Sequence, residues 1–133
     1  MITAVDSSVL WLLTKREDGW EAWAHCLQSA SAEGQLVLCP VVFAELAPSV
    51  ARPAELLRLL DLLQIRYDEF RPESAFLAGQ TFHAYRRAGG PREHLVPDFL
   101  IAAHALTQAN RLAASDRGYL RRWFPKLRLL APA

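Results

Sequence analysis

Four acidic residues interrupt apolar stretches of this 133-residue chain, namely Asp6, Glu45, Asp98 and Asp116. Carboxylates a few ångströms apart repel each other by about 4 kcal/mol per pair at an effective dielectric constant near 20. A cluster of carboxylates therefore takes up protons or binds a cation. Because all-oxygen sites favour hard ions, a cluster of these acids would prefer Mg²⁺ or Mn²⁺ to Zn²⁺.

Each acid also has an ordinary structural explanation. Asp6 and Asp98 could be helix N-caps, Glu45 a charge on a helix surface and Asp116 a turn residue. The apolar run behind Asp98, residues 99–105, predicts a helix buried on nearly all sides. Such a helix would hold the carboxylate rigidly, as a metal or catalytic site requires.

The elements that must position these acids alternate between strands and helices. Short β-prone stretches predict strands at 2–5, 36–39, 112–114 and 127–130, with a weaker one at 65–67. Helices are predicted after Asp6, over 20–31, from Pro40, over 53–63, over 72–88, from Asp98 and, as a short piece, over 119–123. The helix over 72–88 is predicted to bury Ala75, Phe76, Ala78, Phe82 and Tyr85. This order predicts an α/β fold, with a parallel sheet of about four or five strands that carries helices on both faces.

In an open parallel sheet, ligands bind outside the carboxyl ends of the strands. Asp6 and Asp116 each follow a predicted strand, and Glu45 lies in the second turn of a helix that leaves one. Asp98, at the start of its own helix, is expected to face the same crevice. The four positions together favour one shared site over four separate structural roles.

Length and composition favour a single domain over residues 1–133, with 52% hydrophobic content and a net charge of +1. Neither a membrane span nor a signal peptide is indicated, so a cytoplasmic location is expected. Cys26 and Cys39 form no CxxC pair and are expected to be buried and reduced, without a function.

Charge is distributed unevenly along the chain. Residues 1–85 contain six Lys and Arg against eleven Asp and Glu, whereas residues 86–133 contain nine against three. A basic segment around isolated carboxylates suits a polyanion held near a cation. The candidate phosphate contacts are Arg86, Arg87, Arg92, Arg117, Arg121 and Arg122. Their alternative role is that of ordinary surface arginines.

Other catalytic motifs are missing from the sequence. The chain has no HExxH, P-loop, GxGxxG or GxSxG motif. His104 follows Asp98 by six residues, which places it on another helical face and predicts a structural histidine.

Three rival functions share parts of this pattern. A haloacid-dehalogenase-like phosphatase uses an aspartate after its first strand but usually needs a DxD pair, and this chain has Asp6-Ser7-Ser8. A receiver-like signalling domain needs a lysine partner, and only Lys15 and Lys126 exist. A catalytically silent RNA-binding or interaction module would keep the arginines and use Asp98 only as a cap.

The chain resembles the PIN-domain ribonucleases and, among them, the VapC-like toxins of bacterial toxin–antitoxin pairs. The resemblance spans essentially the whole chain and rests on residues 5–10 (VDSSVL), 40–46 (PVVFAEL), 97–105 (PDFLIAAHA) and 116–119 (DRGY), followed by Phe124-Pro125. One departure concerns the residue two positions before the last aspartate. Relatives often have Thr or Ser there, whereas this chain has Ala114, with Ser115 adjacent.

The resemblance implies a function. Asp6, Glu45, Asp98 and Asp116 would form the catalytic, metal-binding quartet for Mg²⁺ or Mn²⁺. RNA would be hydrolysed to a 3′-hydroxyl and a 5′-phosphate, with no protein nucleophile. A cognate antitoxin and a second copy of the chain would be partners.

Three tryptophans lie close together in the sequence, Trp11, Trp20 and Trp23. Core packing is one role for them. The alternative is an apolar groove that receives an amphipathic antitoxin segment, with an antitoxin arginine reaching the acidic pocket.

Overall fold

The computed structural model describes residues 1–91, 96–115 and 118–133. The strands are β1 (Ile2–Val5), β2 (Gln35–Leu38), β3 (Ile65–Tyr67), β4 (Arg111–Ala113) and β5 (Leu129–Leu130). The helices are α1 (Ser7–Thr14), α2 (Trp20–Glu33), α3 (Pro40–Leu46), α4 (Pro53–Leu62), α5 (Pro72–Arg87) and α6 (Val96–Gln108), with 3-10 turns at Ala47–Ser49 and Gly118–Arg122. None of the described helices is both long and apolar enough to cross a membrane.

All five strands are parallel and lie in the order β3-β2-β1-β4-β5. The chain builds outward from β1 through β2 to β3, and then crosses back to place β4 on the other side of β1. Because crossovers between parallel strands are right-handed, this reversal puts the helices of the two halves on opposite faces. The predicted α/β class, with a parallel sheet between helices, is confirmed.

The core lies between the sheet and its helices. The inner strands are almost continuously buried, as expected when both faces of a sheet are covered. Helix α6 buries six of its residues, including Phe99, Ile101 and Ala102, which confirms the predicted buried helix. The Phe99 ring lies 5.2 Å from that of Tyr85 and 5.8 Å from that of Phe124, measured between centroids.

The ends of several elements differ from prediction. Helix α6 begins at Val96, so Asp98 is its third residue and not its N-cap. A proline fits the second helical position because the first four N–H groups of a helix have no intrahelical acceptor. Strand β5 contains only Leu129–Leu130, and β2 ends at Leu38, since Cys39 is the N-cap of α3.

The buried face of α5 also differs from prediction. Phe76 was expected inside, but its side chain is 68% exposed, and Ala75 is exposed as well. Ser74 is buried instead, because its hydroxyl donates to Gln108 Oε1 at 2.6 Å. The buried face of α5 thus carries Ser74 together with Ala78 and Tyr85, and the buried serine has a hydrogen-bond acceptor on α6.

Candidate functional site

Asp6 lies at the carboxyl end of β1 and is fully buried. Its Oδ2 accepts hydrogen bonds from the Ser8 backbone N–H at 3.3 Å and the Ser8 hydroxyl at 2.6 Å, which confirms it as the N-cap of α1. Its backbone N–H donates to the Ala113 carbonyl of β4 at 2.9 Å. Asp6 therefore lies between β1 and β4, where the strand order reverses and where open sheets bind ligands.

Glu45 faces the same corner from α3. The Ser7 hydroxyl donates to Glu45 Oε1 at 2.8 Å, and Ser7 is itself buried. Because Ser7 follows Asp6 directly, one serine joins the exits of β1 and β2. The hydrogen bond from Ser7 thus connects Glu45 to the residue that follows Asp6.

Ser8 links Asp6 to the segment that follows β4. Its hydroxyl accepts a hydrogen bond from the Ser115 backbone N–H at 3.1 Å while donating to Asp6 Oδ2. Position 114, where relatives often have a hydroxyl, is a buried alanine here. In this chain the hydroxyl that hydrogen-bonds to the segment after β4 is therefore that of Ser8 in α1. Asp116 itself lies outside the described residues.

Asp98 is half-buried in the first turn of α6. A helix that connects parallel strands returns the chain from the carboxyl edge of the sheet to its amino edge. Since α6 leads into β4, its first turn begins near the edge where Asp6 lies. Helix α6 also packs against β1 and α3, the elements that carry or precede the other acids.

These contacts assemble only part of the predicted quartet. Asp6 and Glu45 meet through Ser7, topology brings Asp98 to the same edge, and Asp116 is outside the described ranges. Over 1–91, 96–115 and 118–133, no group of three or more His, Cys, Asp or Glu side chains is arranged to hold a metal ion. The donor atoms at this corner are carboxylate and hydroxyl oxygens, which suit a hard cation.

The cysteines add no soft ligand. Burial raises the pKa of Cys39, at the exit of β2, to about 11, so its thiol stays protonated at neutral pH. Cys26 is half-buried, and burial raises the pKa of its thiol too. Both are free thiols, as predicted.

The arginines occupy different environments. Arg86 donates to the Gly90 carbonyl at 2.6 Å, which ties it to the C-terminal end of α5. Arg87 and Arg121 are exposed, and the Arg122 guanidinium lies 5.8 Å from the centre of the Trp123 ring. The other two candidates, Arg92 and Arg117, fall outside the described residues.

The tryptophans have different degrees of burial. Trp23 is buried in the core, as the packing interpretation predicts. Trp11 and Trp20 are half-buried and line two apolar grooves on the face formed by α1, α2 and α4.

His104 is buried in α6, with Nε2 at 2.8 Å from Asp68 Oδ2. The predicted structural histidine is confirmed. Sequence reasoning missed Asp68, although it directly follows β3 just as Asp6 follows β1. The serines of the Asp6-Ser7-Ser8 triplet were likewise not recognised as bridges between elements.

Lowering the pH should destabilise the protein through His104. Burial lowers the pKa of His104 below its usual 6.5, Asp68 opposes this shift in part, and the charge of Arg66 adds to it. The unfolded chain therefore binds a proton that the folded chain excludes. This contribution to stability is complete above about pH 6.5 and is lost as the pH falls through the lower folded pKa.

Urea unfolding at a series of pH values measures the effect. The free energy of unfolding of the wild type should fall more steeply below about pH 6.5 than that of His104→Gln, which removes the titrating group. Equal slopes for the two proteins would contradict this prediction.

The chain resembles known proteins over nearly its full length. Residues 3–123 match the family model of the PIN domain. The structure is similar to that of VapBC2 from Rickettsia felis bound to a DNA fragment from their promoter, with a TM-score of 0.75, 17% identity and 98% of both chains covered. It is also similar to VapBC-1 from nontypeable Haemophilus influenzae, with a TM-score of 0.72, 18% identity and coverage of 98% of this chain and 97% of that one. DNA-bound VapBC from Salmonella typhimurium gives a TM-score of 0.62 at 16% identity, with 98% and 97% covered. At these identities the likeness shows the fold, and no curated protein sequence matches the chain.

Proposed function

Because this chain belongs to the PIN-domain family, we propose that it is a metal-dependent endoribonuclease of the cytoplasm and the toxin of a VapC-like toxin–antitoxin pair. The observation that carries this proposal is the pair of acids Asp6 and Glu45, joined through Ser7 at the point where the strand order reverses. A fully buried aspartate at such a point is a costly feature in a core unless it holds or orients something.

Four acids would hold Mg²⁺ or Mn²⁺, namely Asp6, Glu45, Asp98 and Asp116. When bound, the ion would activate water and stabilise the leaving oxygen of the phosphodiester. The chain's own part is orientation, since Ser8 fixes Oδ2 of Asp6 and Ser7 fixes Oε1 of Glu45.

The exposed guanidinium groups of Arg121 and Arg122 would contact the RNA phosphates. Such contacts hold the backbone of a substrate but read little of its sequence.

Removal of divalent metal tests the enzyme directly. The purified chain, freed of any partner and treated with EDTA, should leave a structured RNA intact, and added Mn²⁺ should restore its cleavage. Cleavage that continues in excess EDTA would contradict the proposal. RNA binding without cleavage at any Mn²⁺ concentration would instead identify a silent binding module.

We propose the groove between α1, α2 and α4 as the antitoxin-binding surface. It has a volume of about 650 Å³ and is lined by apolar side chains that include Trp20, Leu27 and Leu63. The Arg16 guanidinium lies 5.0 Å from the centre of the Trp20 ring. An amphipathic helix with an apolar face and an acidic residue near Arg16 fits this surface.

The antitoxin assignment is tested by co-expression with the product of the adjacent upstream reading frame. Arg16→Glu should weaken co-purification while leaving RNA cleavage by the isolated chain unchanged, because Arg16 is remote from Asp6. If Arg16→Glu co-purifies with the antitoxin at the wild-type level, the antitoxin does not bind in this groove.

We propose that a second copy of the chain pairs along α5. The exposed Phe76 lies beside Gly79 and His83 in a shallow pocket of about 550 Å³. The first turn of α5 carries Glu73 and its last turn carries Arg87. Antiparallel pairing of two copies about a two-fold axis would therefore place the acidic end of each α5 against the basic end of the other. Phe76→Glu should shift a dimer to monomer in sedimentation velocity, and an unchanged sedimentation coefficient would contradict this arrangement.

A further inference from the structure

We propose that a half-buried polar network at the exit of β3 sets the position of α6 and thereby of Asp98. In this role Asp68 and His104 are positioning residues for the proposed metal site. The inference rests on the proposed function for what Asp98 does, but the placement of the helix can be measured independently of it.

Asp68 is the centre of the network. Its backbone N–H donates to the Leu38 carbonyl at 2.8 Å, which extends the pairing of β2 and β3 by one residue. Its Oδ2 is 2.8 Å from His104 Nε2 and accepts from Gln108 Nε2 at 3.1 Å, and Arg66 donates to its Oδ1 at 3.2 Å. One carboxylate therefore joins the edge of the sheet to two residues four apart on α6.

Gln108 extends the network to α5. Its Oε1 accepts from the Arg71 backbone N–H at 2.9 Å and from the Ser74 hydroxyl at 2.6 Å, and its Nε2 also donates to the Glu69 carbonyl at 2.9 Å. The Ser74 hydroxyl contacts that of Thr107 as well. The last turns of α6 are thus hydrogen-bonded to Asp68, Glu69 and Arg71 in the connection between β3 and α5.

Apart from His104, the residues that α6 buries are apolar. Its buried side chains include Ile101, Ala102, Ala103 and Ala105, which are apolar and mostly small. Apolar packing fills space but tolerates small sliding and rotation, whereas hydrogen bonds depend on angle as well as distance. His104 therefore fixes the rotation and axial register of α6 more sharply than its neighbours do.

The position of His104 affects Asp98 because both residues lie on the same rigid helix, α6. Asp98 precedes His104 by six residues, or about 9 Å along a helix that rises 1.5 Å per residue. A shift of α6 at His104 moves Asp98 by a similar amount. Because misplacement by about 1 Å can cost a hundredfold in rate, a device that fixes the helix has catalytic value.

Backbone hydrogen exchange in the metal-free protein tests the placement. His104→Leu should raise exchange of the amides at 100–103 at least about fivefold relative to those of β2, since these amides bond within the first turns of α6. His104→Gln, which can still donate to Asp68, should recover most of the protection. Thr3→Val is the matched control, because Thr3 is equally buried and accepts from Arg111 Nε at 2.9 Å on the α2 side of the sheet.

Mn²⁺ binding by the same variants tests the consequence for Asp98. His104→Leu should weaken Mn²⁺ binding about threefold to tenfold, less than the roughly 10–100-fold cost of losing a group bonded directly to a ligand. Thr3→Val should bind as the wild type does.

Two results would overturn the inference. The first is exchange at 100–103 that rises no more than in β2, or that rises equally in Thr3→Val. The second is a wild type that binds Mn²⁺ with the same affinity as His104→Leu. Failure of the wild type to cleave RNA would overturn the proposed function alone, because the exchange measurement decides the placement of α6 without metal or RNA.

Discussion

Asp6→Asn should lower the rate of Mn²⁺-dependent RNA cleavage by about a thousandfold or more while the protein stays folded. Loss of a charged oxygen from a metal site at the reacting phosphate removes about 4 kcal/mol of transition-state stabilisation, and each 1.36 kcal/mol is about a factor of ten in rate. The fold should persist because asparagine is as good an N-cap as aspartate, and its side-chain oxygen can still accept from Ser8. Single-turnover cleavage and thermal unfolding measure the two effects.

Glu33→Gln is the matched control for Asp6→Asn. Glu33 ends α2 and pairs with Arg111 at 3.2 Å, so its substitution removes the same charge from the side of the sheet away from α6. The pair is half-exposed at Glu33 and should contribute at most about 1 kcal/mol to stability. Equal loss of cleavage in both variants would show that the effect at position 6 is not specific to the site.

Phe99→Ala should lower the free energy of unfolding by about 3–5 kcal/mol, a large part of the stability of a small domain. The ring is fully buried and lies between the rings of Phe82, Tyr85 and Phe124, so its removal leaves a cavity that rigid neighbours cannot fill. Because Phe99 follows Asp98 directly, cleavage should fall even at temperatures where the variant is folded. Urea unfolding measures the stability.

Leu62→Ala gives the comparison for Phe99→Ala. Leu62 is the last residue of α4 and is 77% exposed, so its truncation should change stability by less than about 0.5 kcal/mol. A loss of less than about 1 kcal/mol in Phe99→Ala would show that the aromatic cluster adapts to the cavity.

The arrangement of strands and the gathering of acids at their ends could be predicted because both depend on local pattern. Short β-prone stretches followed by a cap or a proline mark β1 and β2, and alternation with helices implies parallel strands. Asp6 was identified as an N-cap after a strand, and the structure places it there. Glu45 could be assigned to the second turn of α3 because Pro40 marks where that helix begins.

The predictions were wrong at the start of α6 and for the buried face of α5. A helix cap was one explanation for Asp98, but α6 begins two residues earlier at Val96, since a proline is tolerated inside the first turn as well as before it. Phe76 was expected inside by its apolar character. The face of α5 that contains Ala78 and Tyr85 is buried, and on it Ser74 donates to Gln108, so a serine is buried and a phenylalanine is exposed.

The network around Asp68 escaped sequence reasoning for a different reason. Its partner His104 lies 36 residues away, and no spacing rule connects a residue after one strand to the middle of a later helix. The rule that identified Asp6, an acid directly after a predicted strand, applies equally to Asp68 after Tyr67. Extending that rule to the weakest strand would have found it.

The most direct test of the proposed nuclease site is the rate at which Asp98→Asn cleaves a structured RNA in Mn²⁺, measured beside its affinity for the same RNA. We predict that binding stays within about threefold of the wild type, since the arginines supply the phosphate contacts, while cleavage is lost. If Asp98→Asn binds the RNA and cuts it as fast as the wild type does, Asp98 has no catalytic role and the nuclease site lies elsewhere.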